Sequence, residues 1–123
     1  MPPALSILLV DDDDLVRDSV TLLLEALGHA VTAAEGGEQA LALLAEGLRP
    51  QVILLDRNMP GLDGLEVLAR IRRNHPALPV LLATGRIEDL PIEALAADPR
   101  LRITPKPFTV STLNQGLTEV LGG

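Results

Sequence analysis

Cysteine, tryptophan and tyrosine are absent from this chain of 123 residues, and Phe108 is the only aromatic side chain. Without cysteine there is no disulfide framework and no thiolate metal site. A reducing cytoplasm suits such a chain. Without aromatic faces, modules that stack nucleic-acid bases are excluded. No Lys/Arg run is present and the formal charge is −7. That balance makes a poor nucleic-acid binder and a suitable binder of cations. No apolar run reaches transmembrane length, and Met1-Pro2-Pro3 opens no signal peptide. The expectation is a soluble, cytoplasmic protein with no membrane insertion. What the chain does have is aliphatic bulk, with 47% of its residues hydrophobic. One domain over residues 1–123, with a core of Leu, Val, Ile and Ala, accounts for that.

The pattern alternates strand and helix. Leu5 to Val10 is an apolar run broken only by Ser6, and it ends in Asp11-Asp12-Asp13-Asp14. A helix is predicted from Leu15 to Leu27, capped by Asp13 or Asp14 and stopped by Gly28. Ala30 to Ala34 reads as a weaker strand, and Glu38 to Glu46 as a short amphipathic helix. Val52-Ile53-Leu54-Leu55 is a buried strand that delivers Asp56 at its end, before the Pro60-Gly61 turn. Asp63 then caps a helix running to Asn74. Pro79 to Ala83 is a fourth strand, followed by a helix between Glu88 and Ala97 that Pro91 confines or breaks. In the fifth strand, Leu101 and Ile103 alternate with Arg102 and Thr104. Thr109 to Leu121 is the last helix.

Such alternation implies a parallel sheet with right-handed crossovers. The continuously apolar first, third and fourth strands belong in the middle. The order 2-1-3-4-5 satisfies this, giving a flavodoxin-like (βα)5 three-layer sandwich. A parallel sheet brings Asp11, Asp12, Asp56, Thr84 and Lys106 to one edge. At roughly 4 Å and an effective dielectric of about 20, each pair of carboxylates repels by about 4 kcal/mol. Protonation, Lys106 or a divalent cation relieves this, and Mg²⁺ suits an all-oxygen ligand set. A metal-held carboxylate can act as a nucleophile toward phosphorus. Lys106 and Thr84 then supply a point charge and a hydroxyl donor to phosphoryl oxygens. The plainer alternatives are that Asp56 starts a turn, Thr84 ends a strand and Lys106 forms a surface ion pair. His29 and His75 are read as solvated surface residues, so no zinc site is expected.

The sets Val10-Asp11-Asp12-Asp13, Asp56-Arg57-Asn58-Met59-Pro60-Gly61-Leu62-Asp63-Gly64, Ala83-Thr84-Gly85 and Lys106-Pro107-Phe108 resemble the receiver domain of two-component response regulators. The resemblance covers essentially the whole chain and is closest in kind to the single-domain chemotaxis regulators. It implies a phosphorylation-dependent signalling switch, not an enzyme acting on a separate substrate. Asp56 would accept a phosphoryl group from a histidine kinase or phosphotransfer protein. Asp12 and Asp56 would ligate Mg²⁺ directly, Asp11 through water, and Asn58 through its backbone carbonyl. Thr84 and Lys106 would contact the phosphoryl group, and the Lys106–Pro107 bond is often cis in this family. Output would pass to an unknown downstream protein. Asp13 and Asp14 are helix-start acids outside the metal set.

Three features depart from the family pattern. Ile103 stands where many receivers carry an aromatic, which leaves no ring at that position for a relay. Arg86, two residues past Thr84, is a candidate to shield the phosphoryl group or to be an ordinary solvated arginine. Asp98-Pro99-Arg100-Leu101-Arg102 replaces a glycine-bearing turn and, with Pro91, announces an unusual fourth helix. The short tails favour a standalone chain, the alternative being a receiver module of a hybrid kinase that relays phosphoryl groups. A haloacid-dehalogenase-type phosphohydrolase needs an acid two residues after its nucleophile, and Asn58 occupies that position.

Overall fold

The structure is a computed structural model and describes residues 4–122. Met1-Pro2-Pro3 and Gly123 lie outside the described residues. Five parallel strands, β1 (Ser6–Val10), β2 (Ala30–Ala34), β3 (Val52–Asp56), β4 (Val80–Thr84) and β5 (Leu101–Pro105), pair in the order β2-β1-β3-β4-β5. Helices α1 (Asp14–Ala26), α2 (Gly37–Ala45), α3 (Gly64–Asn74), α4 (Ile92–Ala96) and α5 (Val110–Val120) follow the strands in turn. This is the flavodoxin-like three-layer arrangement that the alternation predicted.

Strand alternation divides the core in two. Leu8, Val10, Ile53, Leu55, Val80 and Leu82 face α2 and α3. Ile7, Leu9, Val52, Leu54, Leu81 and Ala83 face α1 and α5. The central strands β3 and β4 are buried at every position, as two covered faces require. The edge strand β2 is mostly exposed. Gly116 lets α5 approach the sheet closely, since a Cβ there would meet the tips of Leu81 at 2.9 Å.

The helix starts follow the sequence. Asp13 caps α1, its carboxylate accepting from the Leu15 and Val16 amides at 2.9 and 3.1 Å. Asp63 caps α3 in the same way through Leu65 and Glu66. Thr109 and Thr112 form a reciprocal capping box at α5.

Three expectations change. The predicted helix from Glu88 to Ala97 is divided into a 3-10 turn at Ile87–Asp89 and the short α4, with Pro91 as its cap residue. Proline has no N–H and its ring obstructs the preceding turn, so a helix can begin here but not pass through. His29 is buried rather than solvated. Its Nδ1 accepts the Leu5 amide at 3.1 Å, closing the backbone beside the first residue of β1. In β5 the alternation holds for Leu101, buried, and Arg102, exposed, and reverses at the next pair, where Thr104 is buried while Ile103 is only partly so. Thr104 faces the layer of α5, and Ile103 faces the thinner cover near α4.

Candidate functional site

The C-terminal edge of the sheet gathers the chemistry. Asp11 follows β1 and is buried, its amide donating to the carbonyl of Ala34 at 3.2 Å. Its Oδ1 accepts the Asp13 amide at 2.9 Å, turning the chain into α1. Arg17 donates to the Asp11 carbonyl at 2.9 Å and pairs with Asp14. Asp14 thus serves α1 and not the acidic cluster. Asp12 is exposed.

Asp56 ends β3 and is only 4% exposed. A carboxylate oxygen from each of Asp11, Asp12 and Asp56 lies within 4.8 Å of the other two. At that spacing and an effective dielectric of about 20, each pair repels by roughly 3–4 kcal/mol. Lys106 offsets this. Its Nζ lies 2.9 Å from Asp56 Oδ1 and 3.2 Å from Asp11 Oδ2. The ammonium bridges the two buried carboxylates and leaves Asp12 facing solvent.

The pKa directions follow. Burial raises the Asp56 carboxyl above its ordinary value, and the charge of Asp11 adds to the rise. Lys106 and the Asn58 amide, 3.2 Å from Asp56 Oδ1, pull it back only in part. Burial works against the Lys106 ammonium, yet Asp56 and Asp11 outweigh it and hold its pKa above the usual lysine value. The cluster is short of positive charge. Three carboxylates share one ammonium, all their ligand atoms are hard oxygens, and one carboxylate is open to water. That donor set fits a divalent cation such as Mg²⁺.

Thr84 ends β4, one position past Ala83, the register partner of Asp56. It is buried, and its Oγ1 accepts the Arg86 amide at 3.1 Å. Its carbonyl accepts the Lys106 amide at 2.9 Å, which ties the lysine loop to β4. The Lys106–Pro107 peptide bond is cis. The Lys106 ammonium also lies 6.0 Å from the Phe108 ring centroid, at the outer limit of a cation–π contact. The Arg86 guanidinium is engaged by Asp89 at 3.2 Å and Glu88 at 3.8 Å.

One residue of the Asp56–Gly64 motif has a role that the sequence did not assign. Gly64, the first residue of α3, has no room for a side chain: a Cβ there would sit 2.4 Å from the Asp56 carbonyl oxygen and 2.7 Å from Arg57 Cα. The Gly64 amide donates to the Arg57 carbonyl at 3.0 Å, folding the 57–63 loop back under Asp56. Met59 anchors that loop in the core and leaves Asn58 exposed at its lip. The signal was present in the Asp63-Gly64 pair, a cap followed by a residue without Cβ, but its reason is a close approach that only the fold creates.

Residues 7–118 match the response regulator receiver domain family. The chain belongs to that family. This receiver domain is 46% identical over 87 residues to the transcriptional regulatory protein AfsQ1 of Streptomyces coelicolor, covering 71% of this chain and 38% of that protein. It is 32% identical to the sensor kinase CckA of Brucella abortus, over 94% of this chain and 12% of that protein. Among solved structures, the Vibrio cholerae chemotaxis protein CheY4 superposes with a TM-score of 0.83 at 30% identity, covering 96% of this chain and 99% of that one. The chain spans less than half the length of the curated relatives it matches here. Receiver domains of this family are signalling modules of two-component systems. No helix among the described residues is long and apolar enough to cross a membrane.

Proposed function

We propose that this receiver is a phosphorylation-dependent switch of the cytoplasm, with Asp56 as the phosphoacceptor. What carries the reading is the buried Asp56 carboxylate, held 2.9 Å from Lys106 and within 4.8 Å of the carboxylates of Asp11 and Asp12. A donor phosphohistidine presents phosphorus to an Asp56 carboxylate oxygen. The new P–O bond forms as the P–N bond breaks, and the imidazole leaves with the electron pair and takes up a proton. Lys106 stays protonated throughout and shifts its charge from the carboxylate to a phosphoryl oxygen. Thr84 offers its hydroxyl to a second oxygen, which requires it to donate outward. Asp12 and Asp56 would hold Mg²⁺ directly, Asp11 through a water molecule, and the Asn58 carbonyl would complete the protein ligands. The ion supplies neutralisation of the phosphoryl charge when bound.

A donor protein must cover the mouth of this site. An apolar hollow of about 490 Å³, lined by Leu15, Val16, Leu23, Pro107 and Phe108, adjoins Lys106. Leu15 is 79% exposed there, an apolar side chain that a donor surface can cover. The donor is a histidine kinase or a phosphotransfer protein, and the output is contact with a further protein. The similarity to a segment of CckA supports a second setting, in which the receiver relays its phosphoryl group to a phosphotransfer histidine. Asn58, two residues past Asp56, cannot act as the general acid of a phosphohydrolase.

Incubation with acetyl phosphate and Mg²⁺, read by intact mass, tests the assignment. One phosphoryl adduct is expected on the wild type, none with EDTA and none on Asp56→Asn. An adduct that persists on Asp56→Asn refutes it. With no tryptophan in the chain, intrinsic fluorescence offers no equivalent readout.

A further inference from the structure

The basic residues of this acidic chain are unevenly used. Six of the ten pair with carboxylates: Arg17, Arg57, Arg70, Arg72, Arg86 and Lys106. Among the described residues, Arg49, Arg73, Arg100 and Arg102 have no carboxylate within 4.0 Å. Two of these four, Arg49 and Arg73, line one hollow of about 490 Å³ between the C-terminal ends of α2 and α3. Its floor is aliphatic, made by Leu41, Leu44 and Ile71, and His75 completes the rim. No acid lines it. Arg70 also reaches the rim, its charge partly met by Glu66 at 3.6 Å. Arg49 is fixed in place, donating to the carbonyls of Leu48 at 3.0 Å and Leu44 at 3.3 Å.

We propose that this hollow docks an acidic, leucine-bearing segment of a partner protein. Guanidinium groups around an aliphatic floor match a segment with apolar side chains in the middle and carboxylates at its margins. The arginine stems extend the apolar wall while their heads stay in water. A free anion makes no use of the floor, and a nucleotide base finds no aromatic face beyond one imidazole. Helices antiparallel to the strands place this hollow at the edge where the strands begin. Asp56 lies at the other edge, about one strand length away, or roughly 16 Å for five residues. A segment docked here leaves the Asp56 site open, so a partner can stay attached while a phosphoryl donor comes and goes. The docking does not depend on the role given to Asp56.

The test uses ¹⁵N-labelled full chain and a short helical peptide of Glu and Leu, with a Lys-for-Glu version as control. Amide shifts are expected at Leu44 to Arg49 and at Ile71 to His75, weakening as salt is raised. Arg49→Glu/Arg73→Glu is expected to bind at least tenfold more weakly, with acetyl phosphate labelling unchanged. Arg73→Glu alone serves if loss of the Arg49 bonds frays α2, which the dispersion of the spectrum reports. The proposal is overturned by an absence of shifts at millimolar peptide, or by equal affinity in the variants. It is also overturned if ATP or inorganic phosphate shifts these amides while the peptide does not.

Discussion

Replacing Lys106 with alanine removes the one cation from a cluster of three carboxylates. Asp11 and Asp56, at 1% and 4% exposure, then face each other without compensation. Removing one partner of a buried ion pair costs about 3–5 kcal/mol. The Lys106 side chain is 24% exposed, so water and salt screen part of this, and about 2–3 kcal/mol is the expected loss. With a urea m-value of about 1–3 kcal/mol per molar, the unfolding midpoint by circular dichroism falls by about 1–3 M in EDTA. A cation that binds only the folded state adds about 2.7 kcal/mol at a hundredfold excess over its dissociation constant. Mg²⁺ therefore narrows the gap, because the variant site no longer holds a competing ammonium. The pH dependence has a defined sign. Asp56 has a raised folded pKa, so its contribution is fully present at acid pH and is lost as pH rises through that value. Lys106 is one of the groups that hold this pKa down, so in the variant the loss runs on to higher pH and is larger in total. Lys106 itself has a raised pKa, so its stabilisation is present below the ordinary value of 10.5 and is lost only as pH rises through the folded one. The gap is smallest in acid, widest between the two titrations, and closes again in strong alkali. Equal midpoints in EDTA refute the bridging role, and midpoints of both proteins that Mg²⁺ leaves unmoved refute the metal assignment.

Gly64→Ala forces the backbone away from the Asp56 carbonyl, with a loss of about 1–3 kcal/mol and slowed acetyl phosphate labelling; unchanged labelling and midpoint show that the loop yields freely. Arg72→Ala deletes a guanidinium that donates to Asp98 at 2.6 Å and to the carbonyls of His75, Leu78 and Arg100. It should lower stability by about 2–3 kcal/mol and speed amide exchange at Arg100 and Leu101, and exchange at the wild-type rate counts against this clasp. Asp63→Ala loses the α3 cap, about 1 kcal/mol, lowering the melting temperature by about 4 °C as followed by circular dichroism; an unchanged melt shows that water replaces the cap.

The central strands were legible because burial on both faces leaves an unbroken aliphatic run, and Val52 to Leu55 has no other use for four such residues. The site was legible for the same reason. Once those strands are parallel, the acids after Val10 and Leu55 must share an edge. Asp13 and Asp63 announced their helices because an Asn or Asp cap acts over two or three residues. What stayed hidden depends on distant neighbours. His29 looks solvated until the Leu5 amide, 24 residues earlier, appears beside it. Thr104 looks exposed until α5 covers its face. The split around Pro91 was signalled by the proline, but where α4 resumed depended on a region that buries little. For Arg86 the sequence left two readings open, toward the phosphoryl group or into solvent, and the acids that engage its guanidinium lie in the 3-10 turn that replaced the expected helix.

Lys106 is the only lysine among the ten basic residues of the chain. Arginine does not react with amine-directed reagents under mild conditions, so apart from the α-amino group there is a single primary amine to modify. That amine is the one clasped between Asp11 and Asp56. Its raised pKa and partial burial keep it protonated and slow to react in the resting state. With the α-amino group blocked first, a dose of acylating reagent therefore reads out one contact rather than an average over a surface. Any event that releases the ammonium from the carboxylates is recorded as a covalent mark at a single known position.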